Sequence, residues 1–275
     1  LHIDIDPAEV GKNRLPQLAL VGDVKQILLE LLKTSDNGSI YEFDSIQTEA
    51  WLERIKKWRQ TYPLMVSKIK GKLSPQQVIN TVGKFYSDAI FTTDVGQHQM
   101  WSAQFIKCGP RKWASSAGLG TMGYGLPAAI GAQVAFPNIP VVCISGDSSI
   151  QMCIQELGTI AQYNLPIRLV IVNNHWQGMV RQWQESFYGE RYSHSSMEAG
   201  QPNFVDLANS YGIKAYNVSN ESEMETILLE SKDYKGPIVF DFAVVEDENC
   251  YPMVAPGKSN SQMMGITKQN KILVN

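Results

Sequence analysis

The chain has 275 residues, of which 44% are hydrophobic, and its 24 basic and 27 acidic residues give a formal net charge of −3. This length allows one large or two ordinary domains, and a charge balance without a basic stripe excludes the nucleic-acid-binding classes. No apolar run approaches the ~20 residues of a membrane-spanning helix, and we see no signal peptide at the start, so we expect no membrane partner.

The first part of the chain contains short elements separated by a polar segment. Residues 1–6 have the pattern of a strand that begins without Met, and residues 22–32 read as a turn followed by a helix. Residues 33–44 are rich in Ser, Asp, Asn and Gly, which predicts a linker. Residues 46–62 predict an amphipathic helix. Its apolar stripe, which we interpret as a packing surface, consists of Trp51, Leu52, Ile55 and Trp58.

From about residue 73 onward, helices and strands alternate. The first helix has a strong start signal, because Ser74 can cap it and Pro75 suits its first turn. This alternation predicts an α/β fold, with a doubly wound parallel sheet and helices on both faces. The predicted strands are 89–93, 141–145, 167–172, 214–218 and 237–243, and the further predicted helices are 124–136, 150–163, 204–211 and 221–231.

The cysteines show no metal-binding or redox spacing. The four residues are far apart in the sequence, and no Cys-x-x-Cys motif occurs. We therefore predict reduced thiols in a reducing compartment. They are Cys108, Cys143, Cys153 and Cys250.

The stretch from Gly146 to Met179 carries the clearest chemistry. Asp147 follows one apolar strand and Asn174 follows the next, with a predicted helix between them. The carboxyl ends of parallel strands meet at one edge of the sheet, where α/β proteins bind ligands. Mg²⁺ prefers six oxygen ligands and is commonly held by one or two carboxylates with phosphate oxygens. We predict that Asp147, the Asn174 amide oxygen and the Trp176 backbone carbonyl hold Mg²⁺, which in turn holds a diphosphate.

Ser148 and Ser149 lead into the predicted helix 150–163, whose N-terminal amides and hydroxyls suit phosphate. Taken singly, these signals have simpler explanations. A Gly-Asp pair is often only a turn with a helix cap, and an Asn-Asn pair is often only a turn. Their spacing across one strand–helix–strand unit favours the diphosphate site.

These residues resemble the thiamin diphosphate motif, with Ser148 at a position where Gly is common. Three further stretches resemble the catalytic subunit of acetohydroxyacid synthase (acetolactate synthase), and the resemblance covers nearly the whole chain. They are residues 92–101, 118–129 and 177–183. Residues 187–192 and 248–259 resemble the cyanobacterial and plastid members most closely.

The resemblance implies a transferase that uses thiamin diphosphate, Mg²⁺ and FAD. Such an enzyme decarboxylates pyruvate and joins the product to a second pyruvate or to 2-oxobutanoate, in the first common step of branched-chain amino-acid synthesis. It also implies a homodimer or tetramer of catalytic subunits, a small regulatory subunit, and a location in the cytoplasm or the plastid stroma.

The resemblance also implies roles for single residues. Gln97 and His98 match diphosphate contacts, Gly120 a contact to the aminopyrimidine, and Met122 the apolar residue that bends the cofactor. Met179 and Trp183 match the substrate channel, and Asp4 and Ile5 match the region near the flavin adenine. The implied thiamin diphosphate contacts are Gly96, Gln97, His98, Gly120, Met122, Gly146, Asp147, Ser148, Ser149, Asn174, Gln177, Gly178 and Met179.

The resemblance divides the chain into the end of a central, FAD-type domain (1–33), a linker with a helix (34–72), the diphosphate-binding domain (73–258) and a tail (259–275). No segment matches the pyrimidine domain with its activating glutamate, so no catalytic residue is assigned, and we interpret Glu156 as a packing residue. We therefore expect a C-terminal portion that is inactive alone. Another thiamin diphosphate-dependent decarboxylase or oxidase, or an isolated Mg-diphosphate-binding module, remains an alternative.

Overall fold

The computed structural model describes residues 1–36 and 45–265. The chain divides into two compact units, Leu1–Thr61 and Tyr62–Asn275. The first unit holds β1 (His2–Asp4) and β2 (Ala19–Val21), which pair in parallel, a 3-10 helix (Pro7–Glu9), α1 (Val24–Asp36) and α2 (Ser45–Thr61).

Two features of the first unit differ from the sequence-based expectation. Helix α1 continues to Asp36, so the predicted linker start at residue 33 is wrong, and residues 37–44 lie outside the described part. The apolar stripe of α2 is largely exposed instead of packed. Trp51 and Trp58 contact each other edge to face at 5.6 Å, and the Arg54 guanidinium lies over both rings.

A six-stranded parallel sheet organises the second unit. Its strands are β3 (Ile90–Thr93), β4 (Trp113–Ser115), β5 (Val141–Gly146), β6 (Arg168–Asn173), β7 (Lys214–Val218) and β8 (Ile238–Ala243). Their spatial order is β4-β3-β5-β6-β8-β7, and every pairing is parallel. The predicted parallel α/β fold is confirmed, with the edge strand β4 as an addition.

Helices cover both faces of this sheet. They are α3 (Pro75–Phe85), α4 (Gln97–Phe105), α5 (Gly125–Ala135), α6 (Leu157–Gln162), α7 (Gly178–Phe187), α8 (Phe204–Ser210) and α9 (Glu221–Ser231). Alternate residues of β5 enter two different cores: Val142 and Ile144 pack with α3, α4 and α9, whereas Val141 and Cys143 pack with α5, α6 and α8. This period-two division is typical of a strand buried on both faces.

The start of α3 follows the predicted capping pattern. The Ser74 hydroxyl accepts a hydrogen bond from the Gln77 amide at 3.1 Å, and Pro75 occupies the first turn. The predicted continuous helix 150–163 is wrong, because the segment forms two 3-10 helices, Ser149–Met152 and Ile154–Glu156, before α6. The backbone leaves helical geometry at Cys153, with φ −143°.

A close approach accompanies this break. A Cβ atom at Gly123 would lie 2.8 Å from the Cβ of Met152, so the loop before α5 presses against the interrupted segment. Glu156 accepts a hydrogen bond from the Thr159 hydroxyl at 2.8 Å, which agrees with its interpretation as a local packing residue.

The remaining described elements are short. β9 (Met253–Val254) and β10 (Met263–Met264) form an antiparallel pair, and the four cysteines are free thiols. Burial raises the pKa of the Cys153 thiol to about 11 and that of Cys250 to about 12, so both are protonated at neutral pH. Among the described residues, none of the helices combines the length and apolarity needed to cross a membrane.

Candidate functional site

The candidate site lies where the chain direction across the sheet reverses. From β3 the chain passes through α4 to β4 on one side, whereas from β5 it passes through α6 to β6 on the other. The carboxyl ends of β3 and β5 therefore flank a crevice, which is the position where open α/β sheets bind ligands.

A cleft with a volume of about 260 Å³ occupies this position. It is close to the lower end of the ~300–1,000 Å³ range of small-molecule pockets. The structure brings most of the sequence-predicted site residues together in its lining: Gly96, Gln97, His98, Met122, Gly146, Asp147, Ser148, Ser149, Asn174, Trp176, Gln177, Gly178 and Met179.

Asp147 is the buried acid of the cleft. It is 1% exposed, and its Oδ1 accepts a hydrogen bond from the Ser148 amide at 3.0 Å. Its Oδ2 is buried without a hydrogen-bond partner. Burial raises the pKa of this carboxyl group from 3.8 to about 7. A buried carboxylate oxygen without a partner is costly unless a cation compensates it, so the atom suits a metal ligand.

Asn173 and Asn174 have different surroundings. Asn174 lines the cleft, and its Oδ1 accepts a hydrogen bond from the Trp176 amide at 3.2 Å, which leaves that oxygen a second lone pair. The Asn173 amide instead donates to Asp241 at 2.9 Å, in a neighbouring cleft that Asn217 also lines. Of the two amides, only that of Asn174 is therefore placed to serve a ligand in the main cleft.

His98 approaches the end of β5 closely. The His98 side chain is 5% exposed, and its Nε2 is buried without a hydrogen-bond partner. Burial lowers the pKa of the imidazole to about 4, although the negative charge of the nearby Asp94 opposes this shift. The imidazole is therefore neutral at pH 7. A Cβ atom at Gly146 would lie 2.9 Å from the His98 Nδ1, so glycine makes room for the ring.

A Gly146→Ala variant should therefore displace His98. We expect the affinity for Mg²⁺ with inorganic diphosphate, measured by calorimetry, to fall about tenfold, and the free energy of unfolding to fall by about 1–3 kcal/mol through overpacking. Gly131→Ala is the matched control, since a Cβ there meets nothing within 4 Å. Because Gly131 lies in a helix interior, its replacement by alanine should raise the free energy of unfolding by about 0.5–1 kcal/mol. Wild-type affinity in Gly146→Ala would contradict the expected displacement.

Gln97 links the cleft to α7 and to the segment after β8. Its Nε2 donates to Gln182 Oε1 at 2.8 Å and to the Glu248 carbonyl at 3.3 Å, while its Oε1 is buried without a partner. Gln182 is fully buried and also pairs with the Cys250 backbone in both directions, at 2.9 and 3.1 Å. The free Gln97 oxygen is thus held in a fixed position at the cleft.

Ser148 and Ser149 do not begin the long helix that the sequence predicted. The Ser149 hydroxyl accepts a hydrogen bond from the Gly146 amide at 3.1 Å, so it closes the turn after β5. The backbone after Ser148 forms a short 3-10 helix, and α6 begins only at Leu157. The predicted long helix is therefore absent here, whereas both serines line the cleft, and their role as phosphate contacts stays a prediction.

Some of the predicted residues lie outside the cleft lining. Gly120 sits on an exposed loop with φ +80°, and Trp183 is 37% exposed on α7, where it contacts Phe187 at 5.1 Å. Asp4 and Ile5 belong to the first unit, and Ile5 is exposed. The roles of these residues remain predictions.

Sequence reasoning missed Asp94, which is fully buried. Its carboxylate accepts hydrogen bonds from the Gly125 amide at the start of α5 and from the Ser145 hydroxyl on β5. It therefore ties the end of β3 to both elements. Its position directly after a buried strand is the one signal that could have identified it. The groups that it contacts come from distant parts of the sequence.

Among the described residues there is no group of three or more His, Cys, Asp or Glu side chains able to hold a metal ion. A metal in this cleft would depend on one carboxylate together with amide, carbonyl and ligand oxygens. That donor set suits Mg²⁺, which is often bound through one or two carboxylates and substrate phosphates.

Comparisons with known proteins identify a family and several relatives. Residues 94–242 match the family described as thiamine pyrophosphate enzyme, C-terminal TPP binding domain. The chain is 60% identical over 271 residues to the acetolactate synthase large subunit of Porphyra purpurea. The aligned region covers 98% of this chain and 46% of the relative.

Two further acetolactate synthase large subunits are similar. The protein of Cyanidium caldarium is 56% identical over 275 residues, with 100% of this chain and 47% of the relative covered. The protein of Parasynechococcus marenigrum (strain WH8102) is 52% identical over 266 residues, with 97% and 42% covered. The chain thus spans about half the length of the curated relatives that it matches.

Proposed function

The chain belongs to the family of thiamine pyrophosphate enzymes, whose C-terminal TPP binding domain it contains, and we propose that it is the C-terminal part of an acetolactate synthase large subunit. In this proposal the cleft between β3 and β5 holds the diphosphate end of thiamin diphosphate. The observation that carries the proposal is the buried Asp147 Oδ2, which has no partner in a cleft lined by Asn174 and Trp176.

Asp147, the Asn174 amide oxygen and the Trp176 backbone carbonyl would hold Mg²⁺ against the diphosphate. The raised pKa of Asp147 supports this assignment, because a bound cation would supply the opposite charge that the buried carboxylate lacks. The diphosphate would supply most of the remaining negative charge around the ion.

Gln97 and His98 would position the diphosphate as neutral groups. A neutral imidazole has one donor and one acceptor nitrogen, and the unpartnered His98 Nε2 is available for a diphosphate oxygen. Because burial lowers the His98 pKa to about 4, the binding energy would come from hydrogen bonding rather than from a cationic imidazole. The Mg²⁺ ion would provide the positive charge.

When bound, thiamin diphosphate supplies the chemistry that decarboxylates one 2-oxoacid and joins the remainder to another. Here the substrates would be pyruvate with a second pyruvate or 2-oxobutanoate, on the way to valine, leucine and isoleucine. Met122 would form the apolar wall that bends the cofactor, with Gly120 beside its ring. Met179 and Trp183 would line the substrate route.

The other components belong to the whole enzyme. We propose an oligomer of catalytic subunits, a small regulatory subunit, and FAD bound mainly outside this chain, with Asp4 and Ile5 near its adenine. The activating glutamate would come from a part of the relatives that this chain does not match. A cytoplasmic or plastid location is proposed from the resemblance of residues 187–192 and 248–259 to cyanobacterial and plastid members.

Calorimetric titration of this chain with thiamin diphosphate tests the proposal. We expect binding in the presence of Mg²⁺, at least about tenfold weaker binding in EDTA, and little binding of thiamin without its diphosphate, because the metal and the cleft recognise that group. Equal affinities for thiamin and thiamin diphosphate would contradict the proposed site. In the full-length enzyme, acetolactate as the product, instead of acetaldehyde or acetyl phosphate, would distinguish the synthase from other members of the family.

A further inference from the structure

An arginine on α7 is held between two aromatic rings beside the cleft. The Arg181 guanidinium carbon lies 5.5 Å from the centre of the Trp176 ring and 5.2 Å from that of Tyr192. The two rings contact each other at 5.6 Å with an interplanar angle of 64°. We call these three residues the arginine clamp. Such distances are within the range of cation–π attraction.

An ion pair fixes the other side of the guanidinium. Its Nη1 lies 2.9 Å from Glu185 Oε2, one helical turn along α7, and the Arg181 side chain is only 13% exposed. Glu185 Oε1 in turn accepts a hydrogen bond from the Asn249 amide at 2.8 Å. Because the guanidinium is planar with a rigid set of donors, these contacts fix its orientation as well as its position.

The clamp holds the residue that lines the metal end of the cleft. The Trp176 indole nitrogen donates to Glu246 Oε2 at 3.2 Å, so the segment after β8 contacts one edge of the ring, while Arg181 and Tyr192 also contact the ring. The flanking backbone pairs with the segment after α7, with the Gln177 amide donating to the Ser195 carbonyl at 2.8 Å.

The backbone of Trp176 is left available for a ligand. Its amide donates to the Asn174 side chain, whereas, within the described part of the chain, no hydrogen-bond donor reaches its carbonyl oxygen. The loop from Asn174 to Gly178 thus combines a side chain held from several directions with a carbonyl that no protein group uses.

We propose that Arg181 is a positioning residue for the metal end of the cleft: the arginine clamp fixes Trp176, and thereby the loop carrying the Asn174 and Trp176 oxygens. This inference rests on the proposed function, since it assumes that those oxygens face Mg²⁺. Arg181 itself touches neither metal nor cofactor in this scheme. Residues behind metal ligands commonly set metal affinity by fixing the orientation of those ligands.

The test compares Mg²⁺ affinity with stability in an Arg181→Met variant of this chain. Methionine keeps much of the apolar length of the side chain but removes the positive charge and the planar set of guanidinium donors. We expect calorimetric Mg²⁺ affinity, at saturating thiamin diphosphate, to fall about tenfold, the low end of effects at residues that support metal ligands. Arg181→Lys should restore part of the affinity, because it keeps a cation over the rings but loses the planar fork.

A spectroscopic readout follows Trp176 itself. The chain has six tryptophans, so in protein labelled with 5-fluorotryptophan the Trp176 ¹⁹F resonance is identified by its loss in Trp176→Phe. In the wild type we expect one narrow resonance that shifts when Mg²⁺ and thiamin diphosphate bind. In Arg181→Met it should be broadened or split before any ligand is added, because the ring has lost its fixed position.

Control variants separate the possible outcomes. Lys68→Met removes an exposed ion pair to Glu221, measured at 3.3 Å, and should leave Mg²⁺ affinity unchanged. If Arg181→Met does not fold, Glu185→Gln removes the negative charge of the ion pair and leaves one amide oxygen, which can accept from Arg181 or from Asn249 but not from both. It should weaken Mg²⁺ binding by about two- to threefold, a smaller loss than removal of the guanidinium.

Affinity within twofold of the wild type in Arg181→Met, or affinity equal to that of the wild type in Glu185→Gln where that variant replaces it, would overturn the clamp even if the midpoint of thermal unfolding falls. The proposed function is judged separately, because Asp147→Asn should abolish Mg²⁺ binding whatever the result at Arg181, and unchanged binding in Asp147→Asn would contradict the proposed function itself.

Discussion

Replacing Asp147 with asparagine should abolish Mg²⁺-dependent diphosphate binding and, at the same time, stabilise the metal-free protein at pH 8. Both effects arise from one buried carboxylate. With the metal absent, burial raises its pKa to about 7 from an ordinary value of 3.8. With the metal present, the same negative charge becomes the main protein contribution to binding.

The sign of the stability effect follows from proton linkage. Below pH 3.8 the carboxyl group is protonated in both the folded and the unfolded state, so its ionisation costs nothing. As pH rises from 3.8 to about 7, the unfolded state ionises first, and the folded state loses stability progressively. A shift of about three pKa units corresponds to an upper limit of about 4 kcal/mol above pH 7.

We therefore expect Asp147→Asn to be more stable than the wild type by about 1–3 kcal/mol at pH 8 in EDTA, because the amide removes the buried charge but still requires hydrogen bonds. The difference should shrink toward pH 4. Urea unfolding across this pH range measures it. Addition of Mg²⁺ and thiamin diphosphate should raise the thermal midpoint of the wild type only.

Asp241→Asn is the contrasting control at the same edge of the sheet. Asp241 is also buried, and burial raises its pKa, but its oxygens accept hydrogen bonds from Asn173 and Asn217 at 2.9 and 3.1 Å. In Asp241→Asn the new NH2 group would face the NH2 group of Asn173 or Asn217, and two donors cannot form a hydrogen bond. This variant should therefore lose stability and keep its Mg²⁺ response. A destabilised Asp147→Asn that still binds Mg²⁺ normally would contradict our account of the cleft.

Arg168→Met should cause a large loss of stability in the second unit. Arg168 is 5% exposed at the start of β6, at the edge of the sheet opposite the cleft. Within the described residues its guanidinium has no carboxylate partner and is held by backbone carbonyls instead. The acceptors are the carbonyls of Pro166, Ser231, Tyr234 and Gly236.

These carbonyls explain why the buried charge is tolerated. Ser231 ends α9, and the carbonyls at the C-terminus of a helix carry a partial negative charge that favours a cation. Methionine would remove the guanidinium donors from all four carbonyls, of which that of Ser231 also accepts from the Tyr234 amide at 3.2 Å. We expect a loss of about 3–5 kcal/mol, comparable to breaking a buried ion pair. Arg168→Lys should lose less, because the ammonium retains three donors.

Urea unfolding again provides the measurement, with Lys235→Met as the control, since Lys235 is exposed in the same turn and its replacement should change stability by no more than about 0.5 kcal/mol. Thiamin diphosphate affinity at a temperature where both proteins are folded should stay unchanged. A loss below 1 kcal/mol in Arg168→Met would contradict the stabilising role assigned to these carbonyl contacts.

Local sequence signals located most of the regular elements of the sheet. The apolar runs at Val141–Gly146 and Arg168–Asn173 predicted buried strands within one residue of their observed bounds, because strands buried on both faces are continuously hydrophobic. The helix over 150–163 was predicted wrongly, because the departure from helical geometry at Cys153 accompanies the packing of Met152 against the distant Gly123.

The sequence by itself determined that Asp147 and Asn174 would meet at one edge of a parallel sheet, because each follows the carboxyl end of a strand, whereas His98 was assigned to the site through the family resemblance. Only the tertiary structure decided that the Asn173 amide binds Asp241 in a neighbouring cleft, and that Asp94 ties three elements together. It also decided that burial keeps the His98 imidazole neutral. These properties depend on neighbours from distant parts of the chain, which no local pattern of residues records.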